Sequence, residues 1–182
     1  MESLRGQLLI AAPSLEDPNF ARTVVVVGEH TPEGALGVVL NRPSDTAVAE
    51  AVPDLAALVD DDDVVHVGGP VQASAVLVLA EFAPQAAGRG QMVLEDVGFL
   101  AVEDDPPAAS DGWLRARVFA GYAGWGPGQL ESELEREDWI VEPCRTDDVF
   151  ASAPDRLWSH VLERKGGRYR LVARMPVDPS VN

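Results

Sequence analysis

Short apolar runs separated by turn-forming residues occupy the first two thirds of the chain, a pattern typical of β-strands. The N-terminal part predicts three strands, at residues 8–11, 23–27 and 36–40. The second is an unbroken run of Thr and Val, too continuous to leave one face in water, so we expect it at the centre of a sheet. A turn at residues 31–34 joins it to the third strand as a hairpin. Asn41-Arg42-Pro43 ends that third strand, because proline cannot donate to a ladder.

The middle of the chain predicts one helix and four more strands. The helix lies around residues 46–58, with Pro53 breaking or restarting it. Four consecutive aspartates at residues 60–63 predict a solvated connection, since they lack the alternating ligand spacing of a calcium loop. The strands are predicted at residues 64–67, 76–79, 97–102 and 113–120, with a loop at 85–90 and an acidic, proline-rich insert at 103–107.

Two predicted helices close the chain. The first opens at Gly126-Pro127-Gly128, with the proline in the first helical position and the Gln129 side chain reaching back as a cap. The second spans about residues 154–165 and stops at a glycine pair; four apolar residues share one of its faces, Leu157, Trp158, Val161 and Leu162. Because the strands precede segregated helices, we expect an α+β fold in a single domain over residues 1–182.

Composition adds limits on size, compartment and redox chemistry. The 182 residues are 46% apolar, enough for a core that needs neither metal nor disulfide. Cys144 is the only cysteine, which excludes an internal disulfide and fits a reducing compartment. The N-terminus lacks a basic region followed by a long apolar run, and no stretch approaches the length of a membrane span. We therefore expect a cytoplasmic protein without a membrane partner.

Charge is the sharper constraint on partners. The 14 basic and 30 acidic residues give a formal net charge of −16. Nucleic-acid binders carry a basic stripe that displaces counterions from phosphates, and the sequence has no such cluster. Direct nucleic-acid binding is therefore not expected.

Few residues offer chemistry by their spacing. The three histidines, His30, His66 and His160, are never paired at the spacing of metal ligands on a helix, so we predict no metal site and no cofactor. Glu29-His30 at the end of a buried strand is the best acid–base candidate. Asn41-Arg42 supplies an amide and a fork of donors at a strand end, which either clamp a carboxylate or cap a turn, with the cap favoured.

The densest unusual stretch is residues 119–130, where a strand passes through four glycines into a helix N-terminus. A helix N-terminus attracts anions, but the stretch has neither the lysine of a Walker loop nor the spacing of a dinucleotide turn. The favoured interpretation is a tight turn under two packed aromatic rings, Tyr122 and Trp125, and a ligand site is the alternative.

Taken together, these motifs resemble the YqgE/AlgH family over nearly the whole chain, from Gly6 to Gly166. The matching segments are residues 6–13, 17–24, 29–43, 68–71 and 121–134, followed by Trp139 and Trp158. The resemblance implies an α+β protein with a large mixed β-sheet and additional β structure packed around a few helices. It implies no reaction and no catalytic residues. Some family members carry a transcriptional-regulator label, which the acidic balance and the lack of a helix-turn-helix do not support for this chain.

Three functions remain open, and the fold alone does not separate them. The first is a non-enzymatic binding or regulatory module for a protein or small ligand. Its candidate surface joins two turns and a strand end; the residues are Arg22, His30, Asn41, Arg42, Gly68, Gly69, Tyr122 and Trp125. The alternative is a hydrolase or transferase using Glu29, His30 and Arg22. Direct DNA binding ranks last.

Two spatial predictions follow from the candidate surface. The segments at Asn41, at residues 68–70 and at residues 121–122 should meet, because each places a turn at the end of an apolar strand. The Trp125 ring should fill the space left by the small residues around it and hold the following helix against the sheet.

The charge also predicts a binding result. At about 0.15 M salt, the purified chain should not retain labelled duplex DNA in a fluorescence anisotropy titration, because its formal charge of −16 opposes counterion release. A second titration at lower salt, where charge–charge interactions are screened less, is the control. Sequence-specific retention at the higher salt would contradict the expectation.

Overall fold

The computed structural model describes residues 2–86, 90–101 and 112–177. Its strands are β1 (Gln7–Ala11), β2 (Val24–Thr31), β3 (Gly34–Val39), β4 (Pro43–Ala47), β5 (Val64–Val67), β6 (Val71–Phe82), β7 (Gln91–Met92), β8 (Val97–Leu100), β9 (Trp113–Trp125) and β10 (Trp139–Pro143). Its α-helices are α1 (Val48–Ala51), α2 (Gln129–Glu135), α3 (Thr146–Val149), α4 (Pro154–Lys165) and α5 (Tyr169–Val172), and 3₁₀ turns lie at Pro53–Leu58 and Pro84–Ala86.

The strands form one large mixed sheet, which confirms the predicted α+β class. Its main path runs β10-β1-β2-β3-β9-β6-β8-β7, with antiparallel neighbours throughout. Off this path β5 pairs antiparallel with β4 and parallel with β9. The 13-residue strand β9 thus pairs with β3, β5 and β6 and joins the two halves of the sheet.

The central position predicted for the Val-rich strand is confirmed. Val24 and Val26 of β2 are buried in one core cluster together with Trp158 of α4. Val25 and Val27 point to the opposite face and are buried in a second cluster with Trp125. Alternate side chains of one strand therefore contribute to two cores, which is why all four residues from Val24 to Val27 are apolar.

The predicted helix around residues 46–58, broken or restarted at Pro53, is confirmed in part. Residues 48–51 form α1, and Pro53 begins a 3₁₀ turn, because it has no N–H to continue an α-helix. The prediction is wrong at residues 46–47, which belong to β4, where Ala47 pairs with Val64 of β5. Strand pairing overrides the local helix pattern at these two residues.

The start of α2 also differs from the expectation. The helix begins at Gln129 and Pro127 lies outside it, since Gly128 takes a left-handed conformation with φ of +72°. The expected reach of Gln129 is confirmed, because its Oε1 accepts a hydrogen bond from Gly126 N at 3.1 Å. Helix α4 and its four buried apolar residues are confirmed.

Two further differences concern the length of β9 and the presence of β10. Strand β9 continues five residues past its predicted end, through the glycine-rich stretch, and β10 was not predicted at all. The insert at 103–107 and residues 87–89 of the predicted loop lie outside the described residues.

His66 of β5 is a buried titratable group within the sheet. The centre of its imidazole ring lies 5.7 Å from the centre of the Phe119 ring, and Nδ1 donates to Val64 O at 3.2 Å. Nε2 is buried and has no hydrogen-bond partner among the described residues. Burial, reinforced by the positive charge of Arg117, lowers the pKa of His66 from 6.5 to about 4.

This pKa shift predicts acid sensitivity. Since the unfolded chain binds the proton more readily, the contribution of His66 to stability is complete above pH 6.5 and is lost as the pH falls from 6.5 toward 4. The loss should approach about 3 kcal/mol at the acid limit. Urea unfolding at pH 7.5 and 4.5 should therefore show a smaller acid loss for His66→Phe than for the wild-type protein. His160→Gln, at an exposed site, is the control and should keep the wild-type acid loss; equal acid loss in His66→Phe would contradict the prediction.

Candidate functional site

The three segments predicted to meet do so through main-chain hydrogen bonds. Arg42 O accepts from Val67 N, and Gly68 O accepts from Val39 N, both at 2.8 Å. Gly68 N donates to Ala120 O at 2.8 Å. The spatial prediction is confirmed, and we call this region, residues 41–42, 67–70 and 120–122, the strand junction.

Glycine is required at the strand junction by close main-chain contact. A Cβ atom on Gly68 would lie 2.3 Å from Gly121 O, and one on Gly69 would lie 2.2 Å from the Tyr122 carbonyl. Gly69 also has a φ of +154°. Packing alone therefore accounts for both glycines.

The polar side chains beside the strand junction bind main chain. Asn41 Oδ1 accepts from Val24 N and its Nδ2 donates to Arg22 O, both at 2.9 Å. The Arg42 guanidinium donates to three carbonyl oxygens of the preceding loop, those of Pro18, Asn19 and Ala21. This is the turn-capping arrangement that the sequence favoured.

Arg22 and His30 lie at opposite ends of β2. The Arg22 guanidinium stacks 4.0 Å from the centre of the Trp158 ring and donates to Met175 O at 2.9 Å. His30 Nδ1 accepts from Leu4 N at 3.0 Å, so Nε2 carries the proton and donates to Glu131 Oε1 at 2.9 Å. Eight residues of extended chain place the two side chains roughly 25 Å apart. They do not form a common site.

Glu29 is exposed and lines a separate cleft of about 350 Å³ beside β2. Its neighbours there are mostly apolar, and they include Leu36, Leu77 and Phe99. Arg22 does not line this cleft. The structure therefore does not bring together the three residues of the hydrolase or transferase alternative.

Trp125 belongs to an aromatic cluster with Phe20 and Trp139. The Trp125 ring centre lies 6.3 Å from that of Phe20 and 6.1 Å from that of Trp139. Both indole N–H groups donate to the same atom, Glu133 Oε2, at 2.8 Å, and Gln129 Nε2 donates to Glu133 Oε1 at 3.0 Å. Trp125 is 6% exposed and packs on Leu130 of α2, so its ring holds the helix as predicted. Tyr122 is half-buried against the other core cluster.

A cleft of about 570 Å³ lies between β9, α3 and α4, away from the strand junction. Five basic side chains line it, Arg115, Arg145, Arg156, His160 and Arg164, together with two carboxylates, Asp147 and Asp148. We call it the arginine cleft. With His160 neutral, its lining carries a net charge of +2 in a chain whose formal charge is −16.

The two carboxylates of the arginine cleft are already paired. Asp148 is buried and binds Arg164 through two hydrogen bonds of 2.7 and 2.8 Å, and Asp147 accepts from Arg115 at 2.8 Å. Arg145, Arg156 and His160 are exposed and have no carboxylate partner in residues 2–86, 90–101 and 112–177. The unpaired charge of the cleft therefore resides on Arg145 and Arg156.

The arginine cleft was not predicted from the sequence, although one signal was present. Arg156, His160 and Arg164 recur every fourth residue, so they share one face of α4 opposite its buried face. The other lining residues come from distant parts of the chain and give no sequence signal of their own.

A family model described as AlgH-like (DUF179) matches residues 8–170. The chain belongs to this family. A UPF0301 protein of Streptomyces coelicolor is 42% identical over 100% of this chain and 97% of its own, and one of Thermobifida fusca is 43% identical over 99% and 96%. These comparisons confirm the family resemblance.

Two solved structures share the fold. Protein DIP2367 of Corynebacterium diphtheriae is 30% identical with a TM-score of 0.86, covering 95% of this chain and 93% of its own. The AlgH protein of Pseudomonas aeruginosa is 33% identical with a TM-score of 0.73, covering 96% and 95%. These similarities establish the AlgH-like fold; function has to be argued from the sites on it.

Cys144 carries the only thiol of the sequence. Burial raises the pKa of the Cys144 thiol, with a further contribution from Asp148, so the thiol stays protonated. In the part of the chain that the structure describes, no three His, Cys, Asp or Glu side chains are grouped as metal ligands. No helix among the described residues is long and apolar enough to span a membrane.

The aromatic cluster predicts a large stability effect. Trp125→Ala removes a buried ring and leaves Glu133 with one donor fewer, so it should lower the free energy of unfolding by about 3–5 kcal/mol. Leu114→Ala, on the same strand but 62% exposed, is the control and should change it by no more than about 0.5 kcal/mol. Denaturant unfolding measures both; a loss under 1 kcal/mol for Trp125→Ala would show that the ring does not hold α2.

Proposed function

We propose that this AlgH-like protein is a cytoplasmic, non-enzymatic binding or regulatory module and that the arginine cleft binds an anionic ligand. The observation that carries the proposal is the pair of exposed arginines, Arg145 and Arg156, lining one cleft without carboxylate partners among the described residues. An anion in the cleft would neutralise both.

The pairing of other arginines in this protein supports the proposal. Arg115, Arg136 and Arg164 each bind a carboxylate at 2.8 Å or less, whereas Arg145 and Arg156 line one cleft and bind none among the described residues. Two positive charges in one cleft, without carboxylate partners in the described part of the chain, repel each other, and an anion bound in the cleft lowers that repulsion.

The chemistry of the guanidinium group suits this role. Arginine presents planar, paired donors that match carboxylate and phosphate oxygens, and it stays charged at any physiological pH. Arg164 is itself held in place by Asp148 and by Pro143 O at 3.2 Å, so it forms an ordered wall of the cleft. The ligand therefore meets a partly preorganised surface.

The strand junction, part of the binding surface predicted from the sequence, has fewer polar side chains available to bind a ligand. Asn41 and Arg42 use their side chains on main-chain groups, and Gly68 and Gly69 have no side chains. The hydrolase or transferase alternative needs Arg22 and His30 in one site, but the two residues lie at opposite ends of β2.

Isothermal titration calorimetry with citrate and pyrophosphate as probes tests the proposal. Arg156→Gln and Arg145→Gln should each weaken binding about tenfold or more, the effect expected for removing charge-assisted hydrogen bonds. Arg174→Gln is the matched control, because Arg174 is exposed and lies outside the cleft. Absence of binding to both probes, or affinities that Arg156→Gln leaves unchanged, would contradict the proposal.

A further inference from the structure

The arginine cleft has room for more than a simple inorganic anion. Its volume of about 570 Å³ falls within the range of sites that hold organic small molecules. A water molecule takes up about 30 Å³ of liquid, so an oxyanion of five heavy atoms would leave most of the cleft to solvent. The cleft therefore has space for a ligand with a body as well as a charged group.

Three donor groups that line the cleft suit a compact, doubly charged group. Arg156 and His160 lie one helical turn apart on α4, which separates their Cβ atoms by about 6 Å. Arg145 precedes α3 and lines the same cleft. A phosphate monoester carries a charge of about −1.5 to −2 and three terminal oxygens, which match the net lining charge of +2 and these three donors. A carboxylate has one charge and two oxygens.

The rest of the cleft offers an apolar surface. Phe150, Ala151 and Leu157 line it beside the basic groups. The Arg115 guanidinium stacks 4.5 Å from the centre of the Phe150 ring, and its side chain is 42% exposed. A planar guanidinium over an aromatic ring forms a surface on which an apolar or aromatic body can stack.

We infer that the arginine cleft binds a phosphate monoester with an apolar or aromatic body, the phosphate on Arg145, Arg156 and His160 and the body against Phe150. The inference rests on the proposed function and gives its ligand a chemical class.

Calorimetric titrations with phenyl phosphate, inorganic phosphate and benzoate separate the two parts of this inference. Phenyl phosphate should bind the wild-type protein at least about tenfold more tightly than inorganic phosphate, because only it reaches Phe150, and about tenfold more tightly than benzoate. Equal affinity for phenyl phosphate and inorganic phosphate would overturn the claim that the ligand has an apolar or aromatic body. Equal affinity for phenyl phosphate and benzoate would overturn the claim that its charged group is a phosphate.

Variants assign each part of the probe to its residues. Phe150→Leu should weaken phenyl phosphate and leave inorganic phosphate unchanged, whereas Arg156→Gln and His160→Gln should weaken both probes and Arg174→Gln neither. Phe150 packs on the core, so the melting temperature of Phe150→Leu is measured first, and Leu keeps most of the apolar volume. If Phe150→Leu has a lowered melting temperature, the comparison of the three probes on the wild-type protein still tests the ligand class.

Failure of this inference is distinguishable from failure of the proposed function. Anion binding that depends on Arg156 but shows no preference for phenyl phosphate overturns the ligand class alone. Absence of any binding that depends on Arg156, to these probes and to citrate and pyrophosphate, overturns both.

Discussion

The close approach of main chains at the strand junction is the constraint on which the architecture depends. Gly68 and Gly69 lie so near Gly121 and Tyr122 that a Cβ atom on either would be within 2.3 Å of main-chain atoms. This contact lets β5 pair with β9 while β9 also pairs with β3 and β6. Gly68, Gly69 and Gly121 are therefore explained by the packing of the sheet.

The positions of the arginine cleft and the aromatic cluster both follow from that sheet. Strand β9 carries Arg115 near one end and Trp125 at the other, so one strand contributes to both regions. Glu133 binds both indole N–H groups at 2.8 Å and fixes α2, whereas Asp148 binds Arg164 and fixes one wall of the cleft. In each region carboxylates bind and order neighbouring side chains.

Elements with a strong local pattern could be predicted from the sequence, and elements that depend on distant pairing could not. The Val-rich strand β2 and the helix α4 have patterns that admit one interpretation. The helix predicted at residues 46–58 begins two residues too early, because Ala47 pairs with Val64 of β5. Strand β10 becomes a strand because β1 pairs with all five of its residues. The charge of Arg145 and Arg156 was visible in the sequence, but only the fold shows that both arginines lack carboxylate partners among the described residues while Arg115 and Arg164 have them.

The central claim is that the ligand site is the arginine cleft rather than the strand junction. A titration of ¹⁵N-labelled protein with phenyl phosphate, followed by ¹H–¹⁵N spectra, tests this directly because every main-chain amide reports its own surroundings. Saturable shifts should concentrate in residues 145–164, with little change in residues 41–42, 67–70 and 120–122. Shifts concentrated at the strand junction, or scattered without saturation, would contradict the claim.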